Sequence, residues 1–155
     1  MYFLLIFWEI IILVYNQSMK EKILIVDDTS AWRYFHKELI EEFYGDIFEI
    51  VTASSATEAL DVVRHNIENP FSVIITDLQM EMDYEPLLAG EWFVENVQKI
   101  SAYSRAHIVM ISSMSNIEFI AQKYGVECVS KPLLIYNKLA MKYMFEKLMP
   151  FLTKM

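Results

Sequence analysis

Cysteine is almost missing from this chain: Cys128 is the single one in 155 residues. An intramolecular disulfide is therefore excluded, and a reducing, cytoplasmic setting is the expectation for the working domain. Positive charge is also scarce, with 13 Lys and Arg against 21 Asp and Glu, a net charge of -8. That balance repels a phosphate backbone and speaks against binding of nucleic acid. The length leaves no room for a second sizeable core, so any output is expected from the surface of one domain. Histidine is represented only by His36, His65 and His107. They lie far apart and lack metal spacing or a partnered nucleophile, so no role is assigned to them. Internal repeats and low-complexity tracts are absent.

Polar residues are nearly missing from the first fifteen positions, where Glu9 alone interrupts 14 apolar side chains. A membrane-spanning helix needs roughly 20 apolar residues. A secretory signal needs a basic start and small residues at its cleavage site, and neither is present. Residues 1–18 are thus read as an apolar extension ahead of a domain spanning 19–155. Three readings stay open for it: a translation start assigned too early, a membrane or interfacial anchor, and a helix docked on the domain. Contact with a membrane is expected only under the second.

From Lys22 onward, short apolar runs alternate with amphipathic stretches, the pattern of a parallel α/β sheet. Strands are expected at 23–26, 47–51, 71–76, 108–111 and 126–129. The first is a continuous Ile-Leu-Ile-Val run, as a strand buried on both faces requires. Between them, Trp32, Phe35, Leu39 and Phe43 recur at helical spacing until Gly45 closes the helix. Ser55 and Glu58 form a capping box for the second helix, and Ser115 to Glu118 offer another for a later one. A last helix follows Pro132, with Met141, Met144, Phe145, Leu148 and Leu152 on its apolar stripe and Lys138, Lys142 and Lys147 solvated. The expected fold is a doubly wound, five-stranded parallel sheet with five helices. Charge is uneven: residues 131–155 hold five lysines and one glutamate, a local +4, which leaves -12 for the rest.

In an open α/β sheet, ligands bind beyond the carboxyl ends of the strands. After the first strand come Asp27 and Asp28, after the third Asp77, after the fourth Ser112 and Ser113, and after the fifth Lys131 and Pro132. Singly, these are ordinary turn, cap and loop residues. Together they place three carboxylates, a hydroxyl and an ammonium on one edge. Like charges in one site raise each other's pKa, so such a group calls for a cation. Mg²⁺ prefers one or two carboxylates plus phosphate oxygens. Three aspartates at -3, Lys131 at +1 and Mg²⁺ at +2 sum to zero. The parts suit phosphoryl transfer, which asks mainly for positioning and charge stabilisation. Asp77 is the candidate nucleophile, able to form an acyl phosphate. Lys131 and the Ser112 hydroxyl are the candidates for holding phosphoryl oxygens.

Four segments carry a resemblance: Ile-Leu-Ile-Val-Asp27-Asp28, Ile-Ile-Thr-Asp77-Leu-Gln-Met, Val-Met-Ile-Ser112-Ser113 and Val-Ser-Lys131-Pro132. Over about residues 20–152 the chain resembles the CheY-like receiver domains of response regulators. The resemblance implies a flavodoxin-like strand order of 2-1-3-4-5. It implies that Asp77 is the phosphoacceptor, and that Asp28 and Asp77 bind Mg²⁺ together with the Gln79 backbone carbonyl. Asp27 is then expected to complete the metal site mainly through a bound water, while Ser112 and Lys131 hold the phosphoryl group. A histidine kinase or phosphotransfer protein would be the donor, and an unidentified downstream protein would read the signal. Such a domain is no enzyme in the ordinary sense.

Departures from the family are plain. An aromatic residue is common three positions before the lysine, and Cys128 stands there, which puts the usual aromatic readout in doubt. In addition, Glu81 replaces an expected proline, and residues 82–90 make a longer connection than usual. Tyr84, Pro86, Leu87 and Leu88 are expected to fold back over the site, with an exposed apolar patch for a partner as the alternative. Trp32 and Trp92 are read as core. Cys128 is read as an inert thiol in a buried strand. Two other functions compete with the switch. A pseudo-receiver would bind partners without phosphorylation. An aspartyl phosphatase would place an acid two residues after its nucleophile, where Gln79 stands.

Overall fold

The computed structural model describes residues 20–80 and 88–152, with side chains described as far as residue 147. The apolar segment 1–18, and the segment carrying Tyr84, Pro86 and Leu87, lie outside the described residues.

Five strands form the sheet: β1 (Glu21–Val26), β2 (Phe48–Ala53), β3 (Val73–Asp77), β4 (His107–Ser112) and β5 (Glu127–Ser130). All pairings are parallel, in the order β2-β1-β3-β4-β5. Six α-helices are described: α1 (Ser30–Tyr44), α2 (Ala56–His65), α3 (Ala89–Gln98), α4 (Ile117–Tyr124), α5 (Lys131–Tyr136) and α6 (Leu139–Leu152), with a 3₁₀ turn at Ser101–Tyr103. The architecture is the expected flavodoxin-like α/β fold, and the number of helices is corrected from five to six. The stretch expected as one helix after Pro132 is two. Asn137 lies between them outside helical geometry, and its side chain accepts from the Leu139 N–H at 3.1 Å, which starts α6 afresh.

Strand residues alternate between two cores, as a period of two demands. Leu24, Val26 and Ile74 pack with Leu60 and Val63 of α2, Phe93 and Val97 of α3, and Ile120 of α4. Ile23, Ile25 and Ile75 face the other way, onto Leu39 and Ile40 of α1, Leu134 of α5 and Met141 and Phe145 of α6. Full burial of a side chain such as Phe93 or Phe145 contributes about 1.5–3 kcal/mol. Covering both faces leaves the strand ends as the open surfaces of the sheet.

Caps follow the sequence in part. Ser55 Oγ accepts from the Glu58 N–H at 3.1 Å, and Glu58 reaches back to the Ser54 N–H at 2.7 Å. The second expected box does not form: Asn116 is the N-cap of α4 and its side chain caps nothing. Met114 N–H has instead turned to Ser112 Oγ, so this turn is organised by the strand end rather than by a cap. Gly125 ends α4 in the left-handed region (φ 64°), where a side chain would be strained. Among the described residues no helix is long and apolar enough to cross a membrane.

Candidate functional site

The strand order reverses between β1 and β3, so their carboxyl ends flank the crevice where such sheets bind ligands. Register puts Val26 beside Thr76, and the next residues, Asp27 and Asp77, leave the sheet on the same edge. One carboxylate oxygen from each of Asp27, Asp28 and Asp77 lies within 4.8 Å of the others. Asp27 and Asp77 are buried and Asp28 is half-buried at the mouth. Three sequence candidates thus meet in one pocket.

Lys131 joins them from the first position of α5. Its ammonium lies 2.8 Å from Asp27 Oδ2 and 3.0 Å from Asp77 Oδ2, with the lysine only 7% exposed. Asp27 is fixed from both sides, because its Oδ1 accepts the Thr29 N–H at 2.9 Å. The Arg33 guanidinium donates to its backbone carbonyl at 2.6 Å and pins the turn. Asp28 accepts from the Thr29 hydroxyl at 3.3 Å.

Asp77 occupies an unfavourable setting for charge. Burial pushes its carboxyl up to about 6, and the neighbouring Asp27 charge adds to the rise. The Lys131 ammonium and the Gln79 N–H, 3.4 Å from Asp77 Oδ1, oppose the shift without cancelling it. Three clustered acids, two of them buried, against one lysine leave excess negative charge at the site. The donor set consists of oxygens alone, which suits a hard divalent cation such as Mg²⁺.

Ser112 ends β4 one position beyond Ile111, the residue paired with Asp77. It is fully buried. Its oxygen accepts the Met114 N–H at 3.1 Å, so its own O–H is the group left to donate. Gln79 is exposed and follows Asp77 by two residues, with its N–H turned toward the Asp77 carboxylate. On the far side of Asp77, Gly90 of α3 approaches the strand end so closely that a Cβ would collide with the Asp77 carbonyl and lie 2.7 Å from Leu78 Cα. Only glycine lets α3 seat against this turn.

Trp32 requires a correction. Helical spacing with Phe35 and Leu39 placed it in the core, yet it belongs to neither apolar cluster. Its ring stands 4.8 Å from Lys131 Nζ, in cation–π range, so it is a wall of the site. The sequence signal was its position one helical turn after Asp28, which periodicity alone cannot tell from a core position. His36, left without a role, is 1% exposed and stacks on Trp32 at 5.6 Å. Cys128 is half-buried rather than buried; desolvation raises its thiol pKa and the charges of Glu118 and Glu127 raise it further, which keeps it unreactive.

No family model and no curated protein matches the chain. Solved structures do. The chemotaxis protein CheY4 of Vibrio cholerae, crystallised at low pH, is 23% identical over 83% of this chain and 98% of its own, with a TM-score of 0.66. A second structure of that CheY4 is 26% identical over 74% and 88%, with a TM-score of 0.59. The receiver domain of a DNA-binding response regulator from Colwellia psychrerythraea 34H is 17% identical over 84% and 98%, with a TM-score of 0.67. Likeness at such identities speaks for the fold, and the fold is the one that the four sequence segments anticipated. The chain has the fold of the CheY-like receiver domains.

Proposed function

We propose that this chain is a phosphoacceptor switch of a two-component phosphorelay, taking a phosphoryl group on Asp77. The observation that carries the reading is the convergence of Asp27, Asp28 and Asp77 within 4.8 Å, with Lys131 bridging two of them. Asp77 acts as nucleophile: one carboxylate oxygen bonds to phosphorus as the donor's leaving group departs with the bonding pair. With its pKa near 6, Asp77 is mostly ionised at neutral pH and so competent to attack. Lys131 and the Ser112 hydroxyl then hold phosphoryl oxygens. Asp28 and Asp77, with the Gln79 carbonyl, would hold Mg²⁺, and Asp27 would reach it through water; the ion supplies neutralisation of phosphoryl charge.

The donor in this reading is a histidine kinase or phosphotransfer protein, and the recipient of the signal is another protein. Drawing Ser112 and Lys131 toward a phosphoryl group biases the surface made by β4, β5 and their helices, which is a population shift rather than turnover. The chain would then be a signalling domain, at work in the cytoplasm. Incubation of the full chain with acetyl phosphate and Mg²⁺ tests this by intact mass. An adduct of about 80 Da, one phosphoryl group, is expected in the wild type and absent from Asp77→Ala. A wild type that stays unmodified with small-molecule and protein donors alike would refute it.

A further inference from the structure

The Lys131 ammonium has three kinds of neighbour: the Asp27 carboxylate, the Asp77 carboxylate and the face of the Trp32 indole at 4.8 Å. The two carboxylates are also the groups that a phosphoryl group and its counter-cation would claim. The indole is the one neighbour that neither competes for. Its electron-rich face attracts an ammonium without a proton to trade or a charge to neutralise, and the attraction grows as water is excluded. Lys131 is nearly dry, so the condition is met.

The indole is itself braced. His36 lies one turn further along α1, almost fully buried, with its ring 27° from parallel to the Trp32 ring and centroids 5.6 Å apart. Phe35 closes the edge of both rings, at 5.4 Å from Trp32 and 5.6 Å from His36. Among the described residues the His36 Nδ1 has no hydrogen-bond partner. Burial, reinforced by the Lys131 charge, keeps the imidazole neutral, so no second cation stands behind the lysine. A polar ring buried at such cost, with a nitrogen unsatisfied, points to stacking as its purpose.

We propose that Trp32 is a positioning residue of the phosphoacceptor site, its indole, backed by His36, keeping the Lys131 ammonium between the Asp27 and Asp77 carboxylates. This rests on Asp77 being the phosphoacceptor. The aromatic partner of the lysine then comes from α1, on the same face of the sheet as α5, and not from the preceding strand β5, where Cys128 stands.

Two measurements on the full chain test the proposal. In the first, adduct formation from acetyl phosphate is timed for wild type, Trp32→Phe and Trp32→Leu, and Mg²⁺ affinity is measured for each. The expected order is wild type, then Phe, then Leu, with Leu slower by about tenfold, the scale of a desolvated cation–π contact. Mg²⁺ affinity should hold within about twofold across the set, since the carboxylates are untouched. A merely structural tryptophan would depress both together, or let Leu equal Phe, and either result overturns the proposal. The second measurement needs no phosphorylation: a denaturant double-mutant cycle on Trp32→Leu and Lys131→Met. A coupling of about tenfold in the unfolding constant is expected, and additivity would overturn the contact. A wild type that gains no adduct sinks the function reading itself. It is told apart because all variants are then equally unmodified while the cycle still reports the contact.

Discussion

The two edges of the sheet bury charge in different ways. At the amino edge, Lys22 is 6% exposed, and its ammonium stands 4.8 Å from the Phe71 ring. Its other partners are the Asn66 side chain and the Asn69 carbonyl, both neutral acceptors. Nearby, Ser72 is paired with Glu21 and the Tyr103 hydroxyl with the Val63 carbonyl. At the carboxyl edge, Lys131 is 7% exposed and stands the same 4.8 Å from the Trp32 ring. There the resemblance ends, since three carboxylates meet and the ammonium bridges two of them. The lesson is that buried charge alone does not mark a site. A crowd of like charges does, because three carboxylates with one ammonium between two of them are left for a cation to neutralise.

The sharpest way to break this contrast is to remove each lysine in turn. Lys131→Met should slow adduct formation from acetyl phosphate by about a hundredfold or more, as the loss of a preorganised charge does. Lys22→Met should leave that rate within about twofold and cost about 1–3 kcal/mol of stability from amide groups left unpaired. Intact-mass time courses and urea unfolding read the two effects. Equal losses of rate would erase the distinction between the edges.

A second test uses pH. The folded Asp77 carboxyl sits near 6, above its ordinary 3.8. A raised pKa means stability that is present at low pH and lost as pH climbs through about 6. In chelator, Asp77→Asn should therefore be more stable than wild type at neutral pH, by up to about 3 kcal/mol. The gap should close as pH falls toward 4. Thermal melting across that range reads it, and a gap independent of pH would show that Asp77 is not strained.

His36 gives the smaller, opposite effect. Its folded pKa of about 4 lies below the ordinary 6.5, so its contribution is full above 6.5 and fades as pH drops toward 4. His36→Phe should flatten that acid limb, leaving the variant about 2 kcal/mol better off than wild type at pH 5 relative to pH 7. Melting curves that keep the wild-type slope would contradict the neutral, buried imidazole.

Much of this was legible in the sequence because it rests on local rules. Continuous apolar runs marked the buried strands, and the residues that stop them, Asp27, Asp77 and Ser112, became the site. The topology brought Asp27, Asp28, Asp77 and Lys131 together as their strand ends required. What stayed hidden depends on contacts between distant segments. Trp32 obeys the same spacing as a core residue, and only the arrival of Lys131 from α5 makes it part of the site. Gly90 reads as a loop residue until the first turn of α3 is seen against the Asp77 carbonyl. The break between α5 and α6 rests on the Asn137 side chain bonding ahead to Leu139, a local alternative to helix that an apolar stripe does not reveal.

The central claim, that the buried and electrostatically strained Asp77 is the phosphoacceptor, is tested most directly by trapping. Borohydride reduces an aspartyl phosphate to homoserine, and peptide sequencing then locates the changed residue. After acetyl phosphate and Mg²⁺, homoserine is predicted at position 77, with Asp27 and Asp28 intact. Homoserine at either of those two, or at none of the three, would contradict the account.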